Sequence, residues 1–330
     1  MIDNHLRGRT VLVTGAGGFI GSHLVEALVR SGARVRAMVR YRSDLDVGCL
    51  AALPDDVQQD VSVFRADLRE PTSMREAVYD QELVFHLGAL GSIPYSFANP
   101  LAFFETNVTG TGNLLDAARE AQVDRFVLMS TSEVYGTVDG VAITESRPTA
   151  PQSPYAASKV AAEQLVHTYV RAVELPATVV RAFNVYGPRQ STRNVIMAII
   201  SQALAGEVLH LGNLAPVRDY NYVTDTVSAL LAVGGCDAAV GRTLNIGTGR
   251  GTSVGDVVLH VQDILGRPLE VVTDAERVRS GAIEVGRLVA DASALEALTG
   301  WRPQVDVRSG LAAVVDWARG AGPRPTGYAV

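Results

Sequence analysis

Thr10-Val11-Leu12-Val13-Thr14-Gly15-Ala16-Gly17-Gly18-Phe19-Ile20-Gly21 opens the regular part of this chain. Its β-branched and apolar start, Thr10–Thr14, predicts a strand that glycine then halts. Gly15, Gly18 and Gly21 follow at three-residue spacing, immediately ahead of a helical pattern over 19–31. Glycine lets backbone approach a ligand closely, and a helix N-terminus supplies N–H donors and partial positive charge. The turn is therefore suited to a pyrophosphate. Many strand-to-helix turns need glycine, so the triplet alone is a weak signal; its place at the first strand–helix junction gives it weight.

Outward from that junction the chain alternates strand and helix. Strands are expected at Arg34–Val39, Val61–Arg65, 83–87, 125–130 and 177–181, with helices over about 100–121 and 154–174. This βαβ rhythm predicts an α/β fold: a Rossmann-type doubly wound parallel sheet. After Asn184-Val185-Tyr186-Gly187-Pro188-Arg189 the rhythm loosens into helices near 194–205 and 310–319 and short strands, a smaller C-terminal α/β substrate-binding region. The division expected is 1–186 for a dinucleotide-binding domain with the catalytic residues and 187–330 for the substrate side. No linker or repeat marks the boundary, which is soft.

Composition narrows the function. A chain of 330 residues that is 47% hydrophobic can bury a large core. Net charge is −6 with scattered basic residues, so no nucleic-acid footprint is expected. Apolar runs fall short of the roughly 20 residues of a membrane span, and a cytoplasmic protein without membrane partners is expected. Cys49 and Cys236 form no CxxC pair, so neither a disulfide framework nor a metal site is anticipated. The 29 basic residues include a single lysine, Lys159. An arginine-rich genome explains the scarcity but not the survivor, whereas a reaction needing a compact ammonium does.

Lys159 completes Ser153-Pro154-Tyr155-Ala156-Ala157-Ser158-Lys159 at the start of an expected helix, so Tyr155 and Lys159 share one face. An ammonium near a phenol lowers its pKa and makes it a usable base; the same ammonium can hold a cofactor ribose. Thr131, in Met129-Ser130-Thr131-Ser132-Glu133-Val134-Tyr135-Gly136 at a strand end, offers a hydroxyl to an alcohol losing its proton. A Tyr-x-x-x-Lys pair alone is usually a surface helix pair, but here the chain's only lysine fills it. Glu133, two residues past Thr131, is expected on the same strand face, where a carboxylate can remove the acidified proton beside a ketone. Its bland alternative is an exposed loop glutamate. NAD enzymes usually carry an acid after the second strand. Here Arg40 and Arg42 stand there, either as solvated loop arginines or as partners of a 2′-phosphate, which favours NADP over NAD. Asp67 and Leu68, after the third strand, are expected beside the adenine.

At these residues the chain resembles the extended short-chain dehydrogenase/reductase family, and within it the nucleotide-sugar 4-epimerases, 4,6-dehydratases and decarboxylases. The similarity covers nearly the whole chain. Besides the glycine turn and Thr131/Tyr155/Lys159, it rests on His86-Leu87-Gly88-Ala89, Thr106-Asn107-Val108, Arg181 to Arg189 and Arg218-Asp219-Tyr220. The acid in Thr131-Ser132-Glu133 is similar to the dehydratase and decarboxylase branch. Further stretches, including Pro188-Arg189-Gln190-Ser191 and Arg277-Val278-Arg279, resemble 4,6-dehydratases of UDP-N-acetylglucosamine in legionaminic-acid-type pathways. The resemblance implies a tightly held NAD or NADP contacted by Gly15, Gly18, Phe19, Ile20, Gly21, Arg40, Arg42, Asp67, Leu68, Leu87, Ala89, Asn107, Tyr155 and Lys159. It implies a UDP-sugar contacted by Ser92, Thr131, Ser132, Asn184, Arg218 and Arg279, catalysis by Thr131, Glu133, Tyr155 and Lys159, and a homodimer through helices 100–121 and 154–174. Two departures stand out: Ser132 where dTDP-glucose dehydratases place an Asp, and Gly88 where alanine is commoner. A 4-epimerase or a UDP-glucuronate decarboxylase is the alternative reaction. A catalytically silent nicotinamide-binding regulator is a third reading, opposed by retention of Thr131, Tyr155 and Lys159 together.

Overall fold

The computed structural model describes residues 6–138, 140, 142–274 and 285–320. Its strands are β1 Thr10–Thr14, β2 Arg34–Val39, β3 Val61–Arg65, β4 Leu83–His86, β5 Arg125–Thr131, β6 Ala177–Ala182, β7 Val185–Tyr186, β8 Val208–Leu211, β9 Val217–Arg218, β10 Asn221–Tyr222, β11 Thr243–Ile246, β12 Thr252–Ser253, β13 Glu270–Thr273 and β14 Arg287–Leu288. Its helices are α1 Phe19–Arg30, α2 Asp55–Gln59, α3 Pro71–Val78, α4 Ile93–Ala98, α5 Pro100–Phe103, α6 Gly110–Glu120, α7 Pro154–Val173, α8 Val195–Ala205, α9 Val223–Gly234, α10 Val254–Leu265, α11 Ser293–Thr299 and α12 Val307–Gly320.

The expected doubly wound sheet is present: seven parallel strands in the order β11-β6-β5-β4-β1-β2-β3. The chain grows outward from β1 to β3 and then crosses back to β4. A crevice therefore opens past the C-terminal ends of β1 and β4, where such sheets bind ligands. Central strands are buried on both faces, as a helix-covered parallel sheet requires: Val11, Leu12, Val13, Val84 and Phe85 are all fully buried.

Two features depart from the sequence rhythm. The helix over 100–121 is interrupted: between α5 and α6, residues Phe104–Thr109 form a widened π turn, a feature common at functional positions. The chain also returns to the main sheet after leaving it near residue 186. β11 pairs with β6, and Val223, Leu230, Leu244, Ile246, Leu295 and Trp301 join the core under β1. A second core, around Ile199, Leu209, Val257 and Val314, lies between α8, α10 and α12. The C-terminal half is thus shared between the two. A strand whose sheet partner lies more than sixty residues upstream leaves no local mark of its membership.

Candidate active site

The glycine turn sits at the crevice. Gly15 has φ +68°, a left-handed conformation that favours glycine. A Cβ on Gly15 would lie 2.7 Å from the Gly88 amide nitrogen, and one on Gly21 would lie 2.2 Å from the Gly15 carbonyl oxygen. The turns after β1 and β4 therefore approach each other more closely than side chains would permit. Gly18 caps α1 without any side-chain bond to its first amides. A cradle of this shape, with uncapped N–H groups, fits a dinucleotide pyrophosphate. Phe19 and Ile20 are half-buried at the start of α1, Leu87 is half-buried and Ala89 exposed past β4, and Leu68 is buried after β3.

The second-strand arginines divide. Arg42 is exposed and paired with Asp44, at 3.2 and 2.9 Å, and with Asp46. Arg40 is exposed and its charge reaches Asp67. Asp67 is gripped by both forks of Arg69, which hold its carboxyl below the usual range. Arg42 thus pairs with acids of its own loop, in a solvent-exposed ion pair.

Catalytic geometry follows from two helix starts. Ser153 accepts the Ala156 amide at 3.1 Å and Pro154 occupies the first turn, fixing where α7 begins. Tyr155 and Lys159 consequently stand one turn apart on the buried face. Lys159 is only 4% exposed and its Nζ donates to the Met129 carbonyl oxygen at 2.7 Å, so the chain's only lysine is turned inward onto β5. Burial draws its pKa down to about 8, opposed by the Glu163 charge. Thr131 ends β5 within hydrogen-bonding reach of the Tyr155 phenol.

The Tyr155 pKa differs from expectation. Burial pushes the phenol up to about 12; Thr131 acts to lower it and the Glu133 charge to raise it, while Lys159 is not among the acting groups. The lysine's proton is directed to the Met129 carbonyl oxygen and not to the phenol. Glu133 also differs: it lies in a 3₁₀ turn, Ser132–Tyr135, and not on the strand. Its amide donates to Thr131 Oγ1 at 3.2 Å, so Thr131 caps the turn that carries Glu133. Ser132 is buried, and the turn presents Thr131 and Glu133, both partly exposed, to the cleft.

Asn107 is 1% exposed with its amide fully used: it donates to Leu90 O at 3.0 Å and Ser158 Oγ at 2.9 Å, and accepts the Leu90 amide at 2.8 Å. It joins the β4 loop to α7. Ser92 caps α4. On the substrate side, the Asn184 carbonyl takes the Asn221 amide at 2.9 Å, and Arg218 is buried in β9, donating to the Val217 carbonyl. Arg279 lies outside the described residues.

Several supporting residues carried no chemical signature in the sequence. Glu163, fully buried one turn beyond Lys159, accepts Ser130 Oγ at 2.5 Å and Arg181 Nη2 at 2.7 Å. Arg181 stacks over the Tyr135 ring at 4.7 Å. Asp219 collects the Thr248 amide and hydroxyl, the Gly249 amide and the Ala290 amide, pinning two segments beside Arg218. The available hint was a charge on each of two elements expected to be covered, Glu163 in the helix after Tyr155 and Arg181 at the end of a central strand. Among the described residues no cluster could hold a metal ion. No helix there is long and apolar enough to cross a membrane.

Comparison with known proteins is consistent across the chain. Residues 12–314 match the family model described as GDP-mannose 4,6 dehydratase. A UDP-glucose 4-epimerase of Mycolicibacterium smegmatis is 35% identical over 93% of this chain and 98% of its own. A dTDP-glucose 4,6-dehydratase of Escherichia coli is 33% identical over 93% of this chain and 92% of its own. The solved structure of MoeE5 with UDP-glucuronic acid and NAD superposes with a TM-score of 0.84 at 33% identity, covering 94% of this chain and 99% of that one.

Proposed function

This chain belongs to the GDP-mannose 4,6-dehydratase family of extended short-chain dehydrogenases/reductases, and from that membership we propose an NAD-dependent 4,6-dehydratase of a UDP-sugar, UDP-N-acetylglucosamine foremost. The observation that carries the dehydratase reading is the place of Glu133, in the turn that Thr131 caps and with its charge acting on the Tyr155 phenol. An epimerase has no need of a carboxylate there.

NAD, when bound, supplies a hydride acceptor for C4 and the same hydride for return to the sugar. The turn from Gly15 to Gly21 and the β4 loop would hold it. Tyr155 must act as the phenolate, which positive charge from the Lys159 ammonium and from bound NAD would favour against burial; it then takes the C4 hydroxyl proton, with Thr131 donating to the same sugar oxygen as charge develops. The Lys159 ammonium, carrying its proton below pH about 8, stabilises negative charge in the pocket. With a ketone at C4 the C5 proton is acidic. Glu133 removes it, and the C6 hydroxyl leaves as water with that proton, which leaves a C5=C6 double bond beside the C4 ketone. Return of the hydride to C6 and of one proton to C5, balancing the one Tyr155 took from the C4 hydroxyl, would give the 4-keto-6-deoxy sugar. Glu133 serves as base and acid because Ser132 stands where dTDP-glucose dehydratases carry an Asp. Arg218, Asn184 and Arg279 would engage the diphosphate and nucleotide.

NAD is preferred to NADP in this reading because Arg42 is paired with Asp44; roughly tenfold weaker binding of NADP is the test on the stripped protein. A homodimer is also proposed, through α5–α6 and α7, since Leu101 is 73% and Phe104 40% exposed on that side. A nucleotide-activated sugar and NAD are supplied in the cytoplasm, where the enzyme would act. Mass spectrometry after incubation with UDP-N-acetylglucosamine should show a product lighter by one water. An isomer of unchanged mass from a UDP-sugar would mean a 4-epimerase, the second reading, favoured by the similarity to the M. smegmatis protein. Carbon dioxide from UDP-glucuronate would mean a decarboxylase.

A further inference from the structure

His86 closes β4 and is 1% exposed, and both ring nitrogens are used: Nδ1 lies 2.7 Å from Thr14 Oγ1 and Nε2 2.9 Å from Thr111 Oγ1. The neighbours fix every proton. Thr111 Oγ1 is 2.6 Å from the Asn107 carbonyl oxygen, which has no proton to give, so the Thr111 hydroxyl donates there and accepts from Nε2–H. The Gly88 amide donates to Thr14 Oγ1 at 3.1 Å, leaving the Thr14 proton for Nδ1. One arrangement satisfies all five groups: Gly88 N–H to Thr14, Thr14 O–H to Nδ1, Nε2–H to Thr111, and Thr111 O–H to Asn107.

At its far end this line continues to the catalytic helix. Asn107, in the π turn, donates to Ser158 Oγ, the residue before Lys159. At its near end it holds the amide of Gly88, the residue against which Gly15 is packed. An imidazolium would leave the Thr14 proton without an acceptor and would sit near the Lys159 charge. Burial and Lys159 accordingly hold the His86 pKa down to about 3. None of the proposed chemical steps uses His86.

We infer that His86 is a positioning residue: as the neutral Nε2–H tautomer it is the middle of a one-way hydrogen-bonded strut that sets the spacing between the glycine turn and α7, and through it the affinity for the dinucleotide. The inference rests on the glycine turn being the NAD site. Thr111 is buried on α6 and bonds to the strut alone, so altering it probes transmission. In the cofactor-stripped full chain, titrated with NAD by calorimetry, Thr111→Val should weaken binding about tenfold, the effect of one lost buried hydrogen bond. Thr111→Ser, which keeps the hydroxyl, should bind within about twofold of wild type. In a His86→Phe background Thr111→Val should add nothing further. Nitrogen NMR of the imidazole should show a protonated Nε2 and a bare Nδ1 at neutral pH, independently of any variant's folding. The strut is overturned if Thr111→Val lowers the melting temperature yet leaves NAD affinity within about twofold. The opposite tautomer, or an imidazolium, overturns it equally. Failure of the wild type to bind NAD would instead sink the cofactor assignment, and the NMR result would still decide the tautomer.

Discussion

Glu163→Gln is the substitution whose cost the structure defines best. Glu163 has no exposed side-chain surface and Arg181 has 7%, so the pair is screened by protein and not by water. Arg181 places Nε and Nη2 on the Glu163 carboxylate at 2.7–3.2 Å, and its Nη1 is buried without a hydrogen-bond partner. Burial works against the guanidinium charge, but Glu163 and Tyr135 hold its pKa above the ordinary arginine value. Gln keeps the shape and removes the countercharge. Stranding a buried cation in this way costs about 3–5 kcal/mol, a large part of the roughly 5–15 kcal/mol by which domains are stable. Urea unfolding of the cofactor-free protein, followed by tryptophan fluorescence, measures it. Replacing both partners, Glu163→Met with Arg181→Met, should recover most of the loss, because no charge is then left unpaired. There is a functional signature too. Glu163 raises the Lys159 pKa against burial, so its neutralisation should move the alkaline limb of the activity profile to lower pH. A single-variant cost under about 1 kcal/mol, or an unmoved alkaline limb, would refute the electrostatic account of this cluster.

Four further outcomes are expected. Tyr155→Phe should lower kcat by about 10²–10⁴, the usual contribution of a positioned acid–base group, with NAD affinity by calorimetry little changed. Glu133→Gln should slow water loss by about 10²–10³ while C4 oxidation persists, so that absorbance of reduced nicotinamide builds up in the presence of substrate. Acid should weaken the fold through His86. Its pKa is depressed on folding, from 6.5 to about 3, so the unfolded chain binds the extra proton below about 6.5 and stability falls with pH down to about 3. Between pH 7 and 5 this one group costs about 2 kcal/mol, which urea titrations of wild type against His86→Gln should resolve as a shallower pH slope in the variant. Gly88→Ala should weaken NAD binding, since its Cβ would stand 3.0–3.3 Å from Leu68, Thr14 and the Gly15 amide; an unchanged dissociation constant would show that Leu68 yields.

Much of the cofactor half was legible because its signals are local. The glycine triplet, the β-branched strands and the pair Tyr155/Lys159 each lie within a dozen residues, and a period or a spacing exposes them. Where one helix cap decides an outcome, as Ser153 does for α7, the sequence states it directly. The illegible part depends on partners far apart in the chain. His86 meets Thr14 across 72 residues and Thr111 across 25, and no local pattern marks a histidine that is held neutral by two threonines. Asn107 is a case of the same kind: its residue type suits a ligand contact, and only the fold shows its carboxamide bonded to Leu90 and Ser158. Alternation along a strand does not apply to Glu133, because Thr131 caps a 3₁₀ turn at that point. Likewise β11 reads as a short apolar run, and its place at the sheet edge comes only from Val179 and Val180 lying ready to pair with it.

Dehydratase, epimerase and decarboxylase share their first step and part only after it. All three oxidise C4, which needs the phenol, the threonine hydroxyl and the ammonium, so those groups cannot discriminate among the reactions. Discrimination must come from the groups that face C5 and C6 once the ketone has formed. An epimerase needs room for the sugar to turn over and no base there; a decarboxylase needs an anionic C6 to be tolerated; a dehydratase needs a base for C5 and an acid for the leaving hydroxyl. In the proposed reading Glu133 is the base for C5 and, once protonated, the acid for the leaving hydroxyl; decarboxylases resemble dehydratases in carrying an acid at this place, so Glu133 sets both apart from an epimerase and not from each other. Its charge acts on Tyr155, so in the proposed reading Glu133→Gln tests the steps that follow C4 oxidation, which no change to the redox residues can do.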